Sequence, residues 1–120
     1  MKYMLLIYTA PDAYAELSPE IAAGINGEYL AYTQQIIDSG EFIAGDPLQG
    51  IETATTVRSK GGQRTLTDGP YAETKEVLGG YYLVDVKDLD RALELAGHLP
   101  GIRHELDVIE VRPILDYMGS

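Results

Sequence analysis

Residues 79–86 read GGYYLVDV, an apolar run in which polar and apolar positions do not alternate. A run of this length, with glycines in front and Asp88 behind, predicts a strand buried on both faces. A run of the same character opens the chain at residues 2–9, KYMLLIYT. It too is rich in tyrosine and branched residues and does not alternate. Two strands apolar on both faces belong at the centre of one sheet. The segments around them decide which sheet it is.

Between the two runs, Ser18, Pro19 and Glu20 make a helix start: a cap, a proline at the first helical position and an acid at the positive end of the dipole. Ile21, Ile25, Tyr29, Tyr32 and Ile36 then recur at helical spacing, and Leu30 and Ile37 widen the stripe. The helix should end near Ser39, with Gly40 as its stop. Gly24 and Gly27 weaken its first half by about 1 kcal/mol each relative to alanine; close packing against the sheet is the plainest reason for them. Residues 41–48 (EFIAGDPL) read as a strand broken at Gly45, Asp46 and Pro47. Residues 53–59 and 63–67 are polar, threonine-rich arms flanking Lys60, Gly61 and Gly62, which predicts an exposed hairpin. After the 79–86 strand, Asp88 caps a helix whose face is Leu89, Ala92, Leu93 and Ala96, ended by Gly97, Pro100 and Gly101. Residues 105–112 (ELDVIEVR) alternate and read as the last strand. The tail is apolar at Ile114, Leu115, Tyr117 and Met118.

The order is strand, helix, strand, hairpin, strand, helix, strand. That is α+β, a ferredoxin-like βαββαβ arrangement with an inserted hairpin, its first and third core strands central and both helices on one face. The other face would expose tyrosine, leucine, isoleucine and valine over several hundred Å², which soluble monomers rarely do. A two-fold homodimer packed sheet to sheet would bury it. The competing account folds the hairpin and the tail back over that face.

Composition narrows the function. The 120 residues fit one domain over residues 1–120. There is no cysteine, hence no disulfide, iron–sulfur cluster or thiol nucleophile. His98 and His104 are the only histidines and read as surface residues, so no metal site is expected, and no bound cofactor. Nineteen acids against nine bases give a charge of −10, which argues against nucleic acid and against an anionic membrane. No apolar stretch approaches membrane-spanning length, and residues 1–9 are too short for a signal peptide, so a cytoplasmic protein is expected. Nine tyrosines against one phenylalanine predict a partly polar pocket or interface.

The densest chemistry lies at residues 68–76, DGPYAETKE, on a loop entering a central strand. Asp68, Glu73 and Glu76 are candidate general acids or bases, and Lys75 is a candidate partner. Glu73 and Glu76 share a face if the segment forms a helical turn, and a tight pair would raise one carboxyl pKa. The plain alternative is a solvated turn. Arg112 is a candidate for an anionic substrate group, or else pairs with Glu110 or with the loop. Asp46, Tyr8, Tyr32 and Tyr71 are candidate substrate contacts, with turn, core and interface roles as their alternatives.

This segment resembles the signature of the YCII-related proteins, in the branch named for its Asp-Gly-Pro-Phe motif, with Tyr71 in place of the phenylalanine. The resemblance runs over nearly the whole chain: MKYMLLIY, the SPE helix start, SGEFIAGDPL, the hairpin, DGPYAETKE, GGYYLVDV and the terminal EVRP fall in order. It implies a dimeric α+β barrel with a cleft between the helices and the sheet of each subunit. It also implies a first-helix histidine paired with an aspartate as a catalytic dyad. No histidine precedes His98; the equivalent position holds Tyr29, and Asp38 lies near the helix end. Two functions follow. One is a cofactor-free small-molecule enzyme, with Asp68, Glu73 or Glu76 moving a proton and Lys75 or Arg112 holding an anion. The other is a metabolite-binding or regulatory module, linked through the resemblance to alternative sigma factors.

Overall fold

The computed structural model describes residues 1–116; Tyr117 and Met118 of the apolar tail lie outside the described residues. Among the described residues, six strands and three helices follow in the order β1 (Lys2–Thr9), α1 (Pro19–Asp38), β2 (Phe42–Pro47), β3 (Thr55–Lys60), β4 (Gln63–Asp68), β5 (Val77–Asp85), α2 (Leu89–Gly97), α3 (Pro100–Arg103) and β6 (Asp107–Pro113). A short 3-10 turn, Ile51–Thr53, follows β2. The main sheet runs β2-β5-β1-β6, antiparallel throughout, with the two apolar strands at its centre. This is the ferredoxin-like arrangement.

The α1 start forms as its sequence dictates: the Ser18 side chain accepts the Ile21 amide at 3.2 Å, and Ser39 caps the far end. Ile25, Tyr32 and Ile36 are buried, whereas Ile21, Leu30 and Ile37 stay exposed. Gly24 and Gly27 do not mark close packing: a Cβ at either would meet open space. On α2 the buried face is Ala92, Leu95 and Ala96, not the stripe through Leu89 and Leu93, which are exposed. The stripe shifts because α3 follows and seats Leu99 and Pro100 in the core beside Leu95. Leu5, Val84 and Leu99 are the largest fully buried side chains, each contributing about 1.5–3 kcal/mol by leaving water. Arg91 of α2 grips Glu41 bidentately, both bonds at 2.8 Å, tying α2 to the segment between α1 and β2.

β2 runs unbroken through Gly45 and Asp46 to Pro47 at the sheet edge, where a missing donor is tolerated. Gly45 lies so close to Tyr82 that a Cβ would stand 2.7 Å from its ring. The hairpin β3–β4 is a separate two-stranded sheet turned by Gly61 and Gly62, both at positive φ, the backbone that a two-residue hairpin turn needs.

Side chains directly opposite in the sheet share a face. Tyr3, Leu5, Ile7 and Thr9 therefore lie under the helices with Val111, Ile109 and Asp107. Met4, Leu6 and Tyr8 lie on the other face with Arg112, Glu110 and Val108. Among the described residues, no helix covers that second face. Its β1 positions are half-buried and Val108 is exposed.

Candidate functional site

β6 begins with an acid on the wrong side. Asp107 pairs with Thr9 and shares the helix-covered face with Ile109 and Val111. It is only 7% exposed, the one charged side chain buried among the described residues. Two phenols meet it. Tyr29, from the third turn of α1, donates to Oδ2 at 2.7 Å. Tyr14, from the turn between β1 and α1, donates to the same oxygen at 2.9 Å. The Tyr29 hydroxyl in turn accepts the Gly101 amide of α3 at 3.2 Å. The Thr9 hydroxyl donates to the Leu106 carbonyl at 3.2 Å, pinning the backbone just before Asp107. The other carboxylate oxygen, Oδ1, is buried and has no hydrogen-bond partner.

A buried acceptor without a donor costs about 1–3 kcal/mol, more when charged, and native proteins keep few of them. Space around Asp107 is equally constrained. A Cβ on Gly101 would stand 1.6 Å from Oδ2 and 2.7 Å from the Tyr29 oxygen, so any larger residue there would force Asp107 and Tyr29 to shift. Burial, then the hydrogen bond and charge of Asp107, push both the Tyr14 and Tyr29 phenols well above their ordinary value of 10.0. They hold their protons and act as donors.

These groups sit on the wall of a cleft of about 800 Å³ between α1 and the sheet, within the size range of small-molecule sites. Its floor comes from Ile7, Gly79, Gly80 and Tyr82; its rim comes from residues 45–52 and from Asp12. The Thr33 hydroxyl donates to the Tyr29 carbonyl at 2.8 Å and lies 2.6 Å from the Tyr82 hydroxyl. Burial raises the Tyr82 phenol as well. Among the described residues, no three histidine, aspartate or glutamate side chains gather to hold a metal ion.

Most of the residues that the sequence singles out fall elsewhere. Asp68 ends β4 and is exposed, as are Glu73 and Lys75, while Glu76 is half-buried. Residues 73–76 form no helical turn, so Glu73 and Glu76 do not share a helix face. Tyr71 is 79% exposed, its carbonyl accepting from Arg58 at 3.0 Å. None of these residues lines the cleft. Arg112 bonds Glu110 at 2.8 Å on the uncovered face of the sheet, which Tyr8 shares. Tyr32 is in the core, its hydroxyl on the Leu95 carbonyl at 2.8 Å and its ring edge-on to Tyr82. Asp46 borders the cleft, and its carboxylate accepts from Tyr81 at 3.0 Å. Asp38 accepts from Gln34 at the exposed end of α1, far along the helix from Tyr29. His98 is exposed, and His104 lies 2.6 Å from Glu28.

Asp107 and Tyr14 are the residues that the sequence reading passes over. One signal for Asp107 is present. In ELDVIEVR the parity that carries Ile109 and Val111 also carries Asp107, so a charge stands on the apolar side of a strand.

Three comparisons bear on this site. A family model of the YCII-related domain matches residues 1–118. An uncharacterised protein of Rhizobium meliloti (strain 1021) is 32% identical over 117 residues, covering 98% of this chain and 94% of that protein. Among solved structures, the chain superposes on 5-chloro-2-hydroxyhydroquinone dehydrochlorinase from Burkholderia phenoliruptrix AC1100, in complex with 2,5-dihydroxybenzoquinone. The TM-score is 0.59 at 12% identity, over 100% of this chain and 99% of that one. At that identity the likeness is one of fold. Among the described residues, no helix is long and apolar enough to cross a membrane.

Proposed function

The chain belongs to the family of YCII-related domains, and on that premise we propose that it is a small-molecule enzyme of the acid/base type, working in the cleft between α1 and the sheet. The observation that carries this reading is Asp107: a buried carboxylate with two phenols on one oxygen and no partner on the other. The phenols resist ionisation, so neither serves as a free tyrosinate base. A proton leaves the substrate for a phenol oxygen while the phenol's own proton moves to Asp107. The phenol stays neutral throughout, and the carboxylate stores the proton. Returned to another atom of the same molecule, that proton completes an isomerisation; returned to a departing group, it completes an elimination. Proton transfer by a positioned pair of this kind is worth about 10²–10⁴ in rate.

The test is hydrogen–deuterium exchange in D₂O at the acidic C–H positions of a panel of small carbonyl, phenolic and amine compounds. The protein should accelerate exchange in at least one, and Asp107→Asn, folded by circular dichroism, should abolish the acceleration. Acceleration that survives in Asp107→Asn ends this reading.

The working particle in this reading is a cytoplasmic homodimer, its two copies packed across the sheet face that no helix covers. The apolar surface there, from Met4, Leu6, Tyr8 and Val108, supports it. Sedimentation should give a two-chain particle, and a stable 13.1 kDa species at micromolar concentration contradicts it. Residues 68–71 support placing the chain in the branch named for the Asp-Gly-Pro-Phe motif. A second reading, a regulatory module acting beside an alternative sigma factor, draws on one observation. The hairpin and the loop after it stand clear of the cleft, with Asp68, Glu73 and Lys75 exposed and available to a protein partner.

A further inference from the structure

The cleft is built to receive hydrogen-bond donors and positive charge. Among the described residues, no lysine, arginine or histidine lines it. Four carboxylate residues do: Asp107 within, and Asp12, Asp46 and Glu52 at the exposed rim. This bias is not left over from composition alone, since nine cationic side chains exist in the chain and all lie elsewhere. The hydroxyls of the wall extend the pattern. Tyr14 and Tyr29 commit their protons to Asp107. Thr9 commits its proton to the Leu106 carbonyl, and Thr33 to the Tyr29 carbonyl. With the Thr33 proton so engaged, the 2.6 Å contact to Tyr82 takes the Tyr82 proton. What these hydroxyls have left to offer a ligand is lone pairs. Side-chain donors come only from the amides of Asn26 and Gln49, both exposed at the edge.

Asp107 gives the independent sign of a missing partner. Its side chain is more than nine-tenths buried on the cleft wall, and Oδ1 has no donor. An N–H or O–H donor there would remove the penalty, and a charged donor would do so most strongly. The rest of the wall is apolar and aromatic, with Ile7, Ile25 and the Tyr29 and Tyr82 rings. Tyrosine faces attract cations, and the attraction grows when water is excluded.

We propose that this cleft takes a small organic cation: a protonated primary or secondary amine carried on an apolar frame, its N–H groups on Asp107 and the tyrosine oxygens. The inference rests on the same cleft as the acid/base reading and names its substrate class. In that reading the ammonium group anchors the substrate, and the proton that passes through a phenol to Asp107 comes from an acidic C–H beside it. A carboxylate or phosphate ligand would find no cationic side chain in the cleft to neutralise it.

Three probes of one shape separate the possibilities: 2-phenylethylamine, 2-phenylethanol and phenylacetate, titrated at neutral pH into ¹⁵N-labelled protein and followed by amide chemical shifts. The amine should bind about tenfold or more tightly than the alcohol, shifting the amides of Thr33, Tyr29 and Gly80. Phenylacetate should not bind. Asp107→Asn should erase the preference of amine over alcohol. Tyr14→Phe, altered on a loop outside the core, should weaken amine binding while keeping the fold, and covers the case in which Asp107→Asn unfolds. Equal or tighter binding of the alcohol or of phenylacetate in the cleft overturns the inference and leaves the acid/base reading standing. Binding by none of the three overturns it too, and the deuterium-exchange comparison then decides the acid/base reading on its own.

Discussion

The cleft around Asp107 and the loop over residues 68–76 hold carboxylates of one kind in opposite surroundings. In the loop, Asp68, Glu73 and Lys75 face solvent, where salt screens their charges. In the cleft a single carboxylate is enclosed, doubly hydrogen-bonded on one oxygen and bare on the other. The loop is dense in chemistry along the chain. The cleft gathers its groups from the turn after β1, from α1, from α3 and from β6, positions up to 93 residues apart. Enclosure and the partners it imposes, not the number of charged residues along the chain, set the two regions apart.

Glycine substitutions separate the two regions most sharply. Gly101→Ala puts a Cβ into Asp107 and Tyr29. It should destabilise the fold by about 3 kcal/mol and weaken any ligand response of the cleft, as read by urea unfolding and by titration. A variant of normal stability would mean that α3 can move away from Asp107. Tyr29→Phe comes next. It strips one donor from Asp107 and the acceptor from the Gly101 amide, for about 1–2 kcal/mol.

The same phenols set an alkaline limit. Their folded pKa values lie above the ordinary 10.0. The folded state therefore binds their protons more tightly than the unfolded chain does. The stability they contribute is complete below pH 10 and falls as pH rises beyond it. Melting temperature should decline from about pH 10 upward, and Tyr29→Phe should decline less steeply. A flat profile to pH 11.5 would mean that the phenols do not lie against the carboxylate.

In the loop, Gly69 has φ +102° with open space around it. Gly69→Ala should cost about 1–2 kcal/mol through backbone strain alone, with ligand binding in the cleft unchanged. Altered binding would tie the loop to the cleft. The smallest effect is expected from Asp68→Asn and Glu76→Gln, each within about 0.5 kcal/mol of the parent by urea unfolding.

The fold was legible because its evidence is local. The two apolar runs, the Ser18–Pro19 start and the Gly61–Gly62 turn each fix one element, and their order fixes the sheet. The α2 face was misread because α3, a single turn after Gly97, rotates which residues meet the core. The cleft was less legible for a physical reason. Tyr14, Tyr29, Gly101 and Asp107 look ordinary one at a time and become a site only when the chain brings them together. On α1 it is Tyr29 that reaches the buried carboxylate, Asp107, while Asp38 faces Gln34.

The proton-transfer group in the cleft is proposed to be the enclosed carboxylate of Asp107. The direct measurement is the rate of protein-accelerated hydrogen–deuterium exchange in Asp107→Asn and in Glu76→Gln, each compared with the parent. The expected result is a loss of about a hundredfold or more in Asp107→Asn and no change beyond about twofold in Glu76→Gln. The reverse pattern, with exchange kept in Asp107→Asn and lost in Glu76→Gln, would contradict it and return the chemistry to the loop.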